Sequence, residues 1–212
     1  LAECGADDST NPKETPGELG PWQSLGPEGG SVSKLIPSPD GLLYAVMDGK
    51  NLFRLDEAAE AWRPVGNPSQ IQGDDCQIYD LTMDPRTPKT LYLAANCSGG
   101  NVAPIYRSLD GGESWQALGS GFSMDDASRG FSLAVHPRNP SILYAAGGRD
   151  TLYRSDDAGE HWRLLAPSGI TQEFVALDPR DTNVVYSGGG QNYCGDFQDC
   201  GLVRSTDGGL HW

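Results

Sequence analysis

A ten-residue segment that ends in tryptophan recurs along this chain at intervals of about fifty residues. It reads YRSLDGGESW at 106–115, YRSDDAGEHW at 153–162 and VRSTDGGLHW at 203–212, and a divergent copy, FRLDEAAEAW, occupies 53–62. The closing tryptophans are separated by 53, 47 and 50 residues. A period of this length indicates a chain built from copies of one supersecondary unit.

Each repeat is predicted to form four short strands. A strand that begins at a tryptophan is followed by a polar loop, an apolar strand, a proline-containing turn, a strand built on LY or VY, a glycine-rich loop and a short strand with an arginine. Regularly spaced turn signals without helical periodicity predict an all-β fold. Four-stranded units of this length, stacked radially, are typical of β-propeller blades. We assign residues 22–212 to the blades and residues 1–21 to a flexible tether.

Three copies of the segment fit the pattern S-x-D-x-G-x-x-W. The matching residues are Ser108, Asp110, Gly112 and Trp115, then Ser155, Asp157, Gly159 and Trp162, then Ser205, Asp207, Gly209 and Trp212. The first copy keeps only Trp62 of the pattern. The pattern is similar to the Asp-box, or bacterial neuraminidase repeat, of sialidases, xyloglucanases, the sortilin luminal domain and photosystem assembly factors. This resemblance implies a propeller of four-stranded antiparallel blades.

About four blades are present in the sequence. Because relatives usually have more blades, we expect them to be part of a larger propeller. The alternative is a small closed ring, in which the strand at Trp22 completes the fourth blade.

The residues of the box are predicted to be structural. Short Ser and Asp side chains can accept the backbone N–H groups of a tight turn, Gly allows a positive φ, and a Trp ring packs between blades. A residue type that recurs in every blade does not mark a unique site.

The same reasoning applies to other residues that recur. An arginine precedes each segment, at Arg54, Arg107, Arg154 and Arg204. We interpret these arginines as blade-surface residues rather than the cluster with which sialidases hold a carboxylate. His136 stands where Asp84 and Asp178 stand in other repeats, which argues against a general base. No metal-ligand spacing or phosphate loop is present, so no cofactor or metal is expected.

The cysteines predict two disulfides. Cys76 and Cys97 are equally distant from the turn PRTP at 85–88, which makes them neighbours in an antiparallel hairpin. Cys194 and Cys200 flank the short loop GDFQD. Two disulfides favour an oxidising compartment, so we expect an extracytoplasmic protein; the alternative is four free thiols.

Cys4 is left without a partner. It follows LAE and precedes a polar segment, which resembles the start of a bacterial lipoprotein. The resemblance implies lipidation at Cys4, although Glu3 stands where lipoproteins usually have a small residue.

Charge and hydropathy narrow the range of partners. With 29 acidic and 15 basic residues, the formal net charge is −14. Phosphate binding needs clustered Lys and Arg, so a nucleic-acid partner is not expected. No run approaches 18 apolar residues, so no transmembrane segment is predicted. The oligomeric state is left open.

The loops that differ between repeats are the predicted ligand-binding surface. They lie at 67–76, 96–104, 119–130 and 188–201. The resemblance to Asp-box propellers implies that they form the face opposite the boxes. Acidic and aromatic groups on these loops suit a glycan, a cation or a basic protein surface. The candidate ligand-binding residues are Asp74, Asp75, Phe122, Asp125, Asp126, Tyr193, Asp196, Phe197 and Asp199.

Two functions are compatible with these features. The first is a non-catalytic module that binds a protein or glycan. The second is a glycoside hydrolase, sialidase-like or xyloglucanase-like, because LLYAVMDGKNLFRLDEAAEAW at 42–62 resembles the first blade of xyloglucanases. That resemblance implies a catalytic role for Asp48, although Lys50 and Asn51 replace two expected glycines. Glycoside hydrolysis needs a pair of carboxylates, and the second would lie outside this chain. We therefore favour the binding module.

Overall fold

The computed structural model describes residues 30–56, 61–66, 76–97, 105–118, 120–122, 131–149, 151–165, 171–189 and 201–212. The predicted tether, the strand at Trp22, Cys4, and both Cys194 and Cys200 lie outside these ranges. Within them every regular element is a β-strand, and none is a helix.

The strands follow one another as consecutive hairpins. They are β1 (Val32–Pro37), β2 (Leu43–Met47), β3 (Asn51–Asp56), β4 (Ala61–Pro64), β5 (Cys76–Met83), β6 (Leu91–Cys97), β7 (Ile105–Ser108), β8 (Gln116–Leu118), β9 (Ser132–Val135), β10 (Leu143–Ala146), β11 (Gly148–Arg149), β12 (Leu152–Ser155), β13 (Arg163–Leu165), β14 (Thr171–Gln172), β15 (Phe174–Leu177), β16 (Val185–Gly189) and β17 (Gly201–Ser205).

Four antiparallel sheets correspond to the four repeats. Blade 1 has the order β1-β2-β3-β4, blade 2 the order β5-β6-β7-β8, and blade 3 the order β9-β10-β12-β13. Blade 4 consists of β15-β16-β17, and β11 pairs with β14 between blades 3 and 4. The predicted all-β architecture of four-stranded antiparallel blades is confirmed.

The second strand of an interior blade is buried on both faces. In β10 each of the four residues LYAA is at most 1% exposed. Leu143 and Ala145 pack towards blade 2, whereas Tyr144 and Ala146 pack towards blade 4. Such strands are continuously apolar because a blade stacked between two others has no solvent-facing side.

The core consists of the three clusters between successive blades. One joins blades 1 and 2 around Leu93 and Tyr106, the next joins blades 2 and 3 around Phe131 and Leu143, and the third joins blades 3 and 4 around Val185. Trp115 and Trp162 are 7% and 5% exposed within the first two. These two box tryptophans therefore pack between blades.

The box turns share one hydrogen-bond pattern. Ser108 Oγ accepts the N–H of Gly112 at 2.8 Å and donates to Asp110 Oδ1 at 2.7 Å, and that oxygen accepts the N–H of Ser114 at 2.9 Å. Gly112 has φ +93°, a conformation that favours glycine. The same bonds recur, within 0.1 Å, in the turns of blades 3 and 4.

Each box turn lies against the proline-containing turn of its own blade. The N–H of Gly111 donates to the carbonyl of Lys89 at 2.9 Å, and Ala158 and Gly208 make the equivalent bonds to Ser141 and Asn183 at 2.8 Å. These two sets of turns form what we call the box face. In an antiparallel meander the remaining connections lie at the other end of the strands, which we call the loop face.

Candidate functional site

Asp48 lies on the loop face, in the three-residue connection between β2 and β3. Asp48 and Gly49 have φ values of +52° and +65°, and Lys50 N–H donates to the carbonyl of Met47 at 2.9 Å. Two consecutive positive φ values define the tight hairpin turn for which Asp-Gly is a preferred sequence. The turn geometry therefore accounts for the unusual backbone of Asp48 and presents its exposed side chain to solvent.

Ser31 fixes the orientation of the Asp48 carboxylate. Oδ1 accepts the Ser31 N–H at 2.8 Å and the Ser31 Oγ–H at 3.2 Å, while the N–H of Asp48 donates to the Ser31 carbonyl at 2.8 Å. A Cβ at Gly30 would lie 2.5 Å from Oδ2 and 3.1 Å from the carboxyl carbon of Asp48, so glycine leaves room for this arrangement. Among the described residues, the hydrogen bonds to this carboxylate go to Oδ1.

The first residues of blade 2 contact the turn that contains Asp48. The N–H of Ile78 donates to the carbonyl of Gly49 at 2.5 Å, and the Gln77 side chain occupies the space that a Cβ at position 49 would need. Cys76, one residue before Gln77, is disulfide-bonded to Cys97, and the two residues are directly paired between β5 and β6. The disulfide therefore holds the strand on which the turn rests, in the predicted hairpin register.

Asp80 in β5 is a second carboxylate, and both of its oxygens accept hydrogen bonds from described residues. It is 4% exposed and forms an ion pair with Lys34 from β1. Its Oδ1 also accepts the N–H of Leu81, and its Oδ2 accepts the N–H of Leu133 in β9, both at 2.8 Å. Asp80 thus links the first strands of blades 1, 2 and 3, a buried structural role rather than that of a carboxylate open to substrate.

Most of the predicted ligand-binding residues lie outside the described ranges, so their role stays a prediction. They are Asp74, Asp75, Asp125, Asp126, Tyr193, Asp196, Phe197 and Asp199. Phe122 is described: its ring centroid lies 4.6 Å from that of Tyr153, 5.1 Å from that of Phe131 and 5.2 Å from that of Trp162. These contacts give Phe122 a packing role between blades 2 and 3.

Three of the four recurring arginines, which we predicted to be blade-surface residues, are partly buried between blades. The side chains of Arg54, Arg107 and Arg154 are 15%, 14% and 16% exposed. Each donates to a backbone carbonyl in the box turn of the following blade. They tie blades together, and they do not converge into the arginine cluster of a sialidase.

His136 replaces a turn aspartate, as the repeat predicts. Its Nδ1 accepts the N–H groups of Arg138 and Asn139 at 3.2 and 2.9 Å. Burial lowers the pKa of His136 below its ordinary value, which the nearby positive charges of Arg154 and Arg138 reinforce. A neutral imidazole that accepts two backbone bonds is a structural group, not a general base.

The box aspartates are similarly engaged within their own turns. Hydrogen bonds from Ser114 lower the pKa of Asp110 to about 2, and hydrogen bonds from His161 lower that of Asp157 to about 2. In the part of the chain that the structure describes, no cluster of His, Cys, Asp or Glu is arranged to hold a metal ion, and no helix could cross a membrane.

Comparison with curated proteins finds xyloglucanases. A xyloglucanase of Paenibacillus sp is 32% identical over 236 residues, which cover 93% of this chain and 22% of the relative. A xyloglucanase of Acetivibrio thermocellus is 31% identical over 207 residues, covering 81% of this chain and 24% of the relative. A probable oligoxyloglucan-reducing end-specific xyloglucanase of Neosartorya fischeri is 26% identical, covering 87% of this chain and 23% of the relative. The chain thus spans less than a quarter of the length of these relatives. No protein-family model matches it.

Comparison with solved structures supports the same fold. A GH74 enzyme of Niastella koreensis has a TM-score of 0.66 at 27% identity, covering 86% of this chain and 29% of that one. YCF48 bound to D1 peptide has a TM-score of 0.56 at 24% identity, covering 87% of this chain and 54% of that one, which is a likeness of fold alone. The homologues of this chain include GH74 xyloglucanases, and its structural neighbours are β-propellers.

Proposed function

We propose that this chain forms part of a glycoside hydrolase that acts on xyloglucan or a related β-glucan, and that Asp48 supplies one of its two carboxylates. The observation that carries this proposal is the exposed Asp48 side chain on the loop face, held through Oδ1 by Ser31. The similarity to xyloglucanases over 81 to 93% of the chain supports the reaction class. This favours the hydrolase interpretation over the non-catalytic module that we preferred from the sequence.

Hydrolysis of a glycosidic bond requires two carboxylic groups with different tasks. One protonates the leaving oxygen, and the other activates water or attacks the sugar. The bonds from Ser31 engage one oxygen of Asp48 and orient the other for such a step. Asp80 is not a suitable second group because both of its oxygens are bonded within the fold. The second carboxylate would come from outside the described residues.

The loops that differ between repeats would bind the glycan on the loop face, where Asp48 lies. Aromatic rings and carboxylates on the sequence segments 67–76, 119–130 and 188–201 suit stacking on sugars and hydrogen bonding to their hydroxyls. Replacement of Tyr193 and Phe197 by Ala should therefore weaken binding of xyloglucan oligosaccharides. A disulfide at Cys76–Cys97 supports an extracytoplasmic location, since such bonds persist in oxidising compartments.

Measurement of reducing ends released from xyloglucan, by the protein at its natural length, tests the proposal. Asp48→Asn should abolish the release of reducing ends, because an amide cannot donate or accept the proton that the carboxyl group transfers. Asp40→Asn is the matched control: it lies in blade 1, is exposed, and sits on the opposite, box face. Full activity of Asp48→Asn would refute the proposed role of Asp48. Binding of xyloglucan by the wild-type protein with no product, under conditions that saturate binding, would restore the non-catalytic module.

A further inference from the structure

The half of β5 nearest the loop face alternates between buried and exposed side chains. Cys76, Ile78 and Asp80 are at most 4% exposed, whereas Gln77 and Tyr79 are exposed. Such alternation is expected where one side of a strand packs on the core and the other meets solvent. Gln77 and Tyr79 therefore lie on the same, outward side of the strand, close to the loop face.

The buried residues of this segment are fastened to other strands. Cys76 is disulfide-bonded to Cys97 in β6. The N–H of Ile78 donates to the carbonyl of Gly49, the residue that follows Asp48, at 2.5 Å. The segment is therefore held beside the turn that carries Asp48.

Asp80 fastens the other end of the segment. It forms an ion pair with Lys34 in β1, and its Oδ2 accepts the N–H of Leu133 in β9 at 2.8 Å. Residues 76–80 are thus bonded to blade 1, to blade 3 and within their own sheet. The two exposed side chains project from a backbone that is fixed at both ends.

Tyr79 is the extra residue of a β-bulge. Ile78 is paired with Ala95 and Asp80 with Ala94, so Tyr79 has no partner in β6. Bulges redirect a side chain and are frequent beside active sites. Tyr79 is 46% exposed, and its hydroxyl makes no hydrogen bond to a described residue. The bulge thus presents an aromatic ring to solvent.

The exposure of Tyr79 distinguishes it from the tyrosines that pack between blades. Those tyrosines are at most 3% exposed: Tyr44, Tyr92, Tyr106, Tyr144 and Tyr153. Blade 2 lies between blades 1 and 3, so Tyr79 is not exposed for want of a neighbouring blade. A ring that contributes little to packing, on a segment that is firmly held, is suited to contact a ligand.

Gln77 brings a polar group to the same place. A Cβ at Gly49 would collide with Gln77 Nε2, so the amide lies against the residue that follows Asp48. The hydrogen bond of this amide to a described residue is a long one, 3.5 Å from Nε2 to the Ile78 carbonyl. The amide is therefore able to exchange hydrogen bonds with a bound ligand.

We propose that Tyr79 and Gln77 form a sugar-binding subsite beside Asp48. The Tyr79 ring stacks on the C–H face of one pyranose of the glucan backbone, and the Gln77 amide hydrogen-bonds to a hydroxyl of the same sugar. Residues two apart on a strand are separated by about 7 Å, so one sugar can contact both. This assignment rests on the proposed function, in which Asp48 acts on xyloglucan or a related β-glucan.

The chemistry of a pyranose fits this pair of side chains. A sugar ring combines an apolar face with a rim of hydroxyls, which match an aromatic ring beside a neutral amide. Neither side chain is charged at neutral pH, so the subsite suits a neutral sugar and not an ion. Because residues 76–80 are fixed before the ligand binds, little entropy is lost on binding. The Cys76–Cys97 bond thereby contributes to substrate binding.

Calorimetric titration with a xyloglucan oligosaccharide tests the subsite. The protein is used at its natural length and carries Asp48→Asn, so that the ligand is not consumed. Adding Tyr79→Leu, which keeps an apolar side chain but removes the flat ring, should raise Kd by about tenfold. Tyr79→Phe keeps the ring and should raise Kd by less than about threefold. An unchanged Kd in Tyr79→Leu, or an equal rise in both variants, would overturn the stacking role.

A matched control and a second variant complete the experiment. Phe174→Leu is the control, because Phe174 is a 41% exposed aromatic residue in the first strand of blade 4, two blades from the Asp48 turn. It should leave Kd unchanged, and a rise equal to that of Tyr79→Leu would contradict a subsite beside Asp48. Gln77→Ala should raise Kd by about fivefold, as expected for one lost hydrogen bond. An unchanged Kd would exclude Gln77 from the subsite.

The measurement distinguishes failure of the subsite from failure of the proposed function. Binding that depends on Tyr79, in a wild-type protein that releases no reducing ends, would refute the hydrolase and keep the subsite. Release that depends on Asp48, with the same Kd in Tyr79→Leu as in its parent, would keep the hydrolase and refute the subsite. Absence of oligosaccharide binding by the Asp48→Asn protein would also refute the subsite.

Discussion

His136 and Asp84 occupy the same turn position in neighbouring blades, and each accepts two backbone N–H groups there. Asp84 Oδ1 receives those of Arg86 and Thr87 at 2.7 and 3.2 Å, and His136 Nδ1 receives those of Arg138 and Asn139 at 2.9 to 3.2 Å. A ring nitrogen can do this only while it carries no proton, whereas a carboxylate accepts hydrogen bonds over a much wider pH range.

Protonation of His136 should therefore destabilise the fold. Burial lowers the pKa of His136 in the folded protein below its unfolded value near 6.5, so the folded state binds fewer protons. The stability that neutral His136 contributes is present above about pH 6.5 and is lost as the pH falls through the pKa of His136 in the folded protein. The melting temperature of the wild type should fall in this window, and His136→Asp should lessen the fall. His211→Gln is the control because His211 is exposed; an unchanged wild-type slope in His136→Asp would contradict the prediction.

Asp157, the box aspartate of blade 3, is predicted to contribute to stability and not to activity. Asp157→Ala removes the acceptor of the His161 N–H and of the Ser155 hydroxyl, and should cost about 1 kcal/mol of unfolding free energy. Asp157→Asn is the matched control, because its amide oxygen can still accept both of these hydrogen bonds. Thermal melts and xyloglucan assays on both variants test this. A large loss of activity at an unchanged melting temperature would show that the box belongs to the active site.

The lowered pKa of Asp157 predicts that its contribution to stability is lost in acid. Hydrogen bonds from His161 lower the pKa of Asp157 to about 2, below the unfolded value near 3.9. Its contribution is present above about pH 4 and declines as the pH falls towards 2. The stability difference between wild type and Asp157→Ala, measured by denaturant titration, should therefore shrink between pH 5 and pH 2.5. A constant difference over this range would contradict the proposed origin of the effect.

The sequence predicts the box turns and the register of β5 and β6 because each is centred on one turn of the chain. The Ser-Asp-Gly spacing of the box specifies bonds that span two to four positions, and the symmetry of Cys76 and Cys97 about one turn specifies their register. Repetition also shows that Arg54, Arg107 and Arg154 are equivalent. It does not show that they are partly buried between blades, because Arg107 bonds to Ala158, 51 positions away, in a blade whose placement the pattern leaves open.

The candidate site was predictable to a similar extent. Asp48 was found through its resemblance to a family segment and through the Asp-Gly turn signal. Ser31 was missed because a serine after two glycines is also an ordinary loop residue, and its bonds to Asp48 span 17 positions. Asp80 was missed for the same reason, since its partners Lys34 and Leu133 are 46 and 53 positions away.

The contacts of Arg107 with the box turn of blade 3 predict that it contributes more to stability than an exposed arginine does. Arg107→Ala removes bonds to the Ala158 carbonyl and to the Glu160 carboxylate, and should cost about 2 kcal/mol. Arg163→Ala is the control because its side chain is 48% exposed and its contact with Asp156 is 3.5 Å long. Denaturant unfolding of both variants gives the comparison. Equal losses would show that the contacts of Arg107 with blade 3 add nothing beyond a surface ion pair.

The disulfide predictions are tested by peptide mapping without reduction. We expect Cys76 bonded to Cys97, as in the structure, and Cys194 bonded to Cys200. Replacing Cys76 and Cys97 together by Ser should lower the free energy of unfolding by about 3 kcal/mol. Removing the bond between Cys194 and Cys200, which closes a shorter loop, should lower it by about 1 kcal/mol less. A bond from Cys76 to any other cysteine would contradict the register of β5 and β6.

The support that Ser31 gives to Asp48 can be removed one bond at a time. Ser31→Ala deletes the 3.2 Å bond from the hydroxyl but keeps the 2.8 Å bond from the backbone N–H. If Asp48 takes part in the reaction, kcat on xyloglucan should fall by roughly tenfold or less with KM little changed, since one of two orienting donors is lost. Ser33→Ala is the control, because the Ser33 hydroxyl donates to the Val46 carbonyl two residues along the same segment. A rise in KM at constant kcat would mean that Ser31 serves substrate binding instead of the orientation of Asp48.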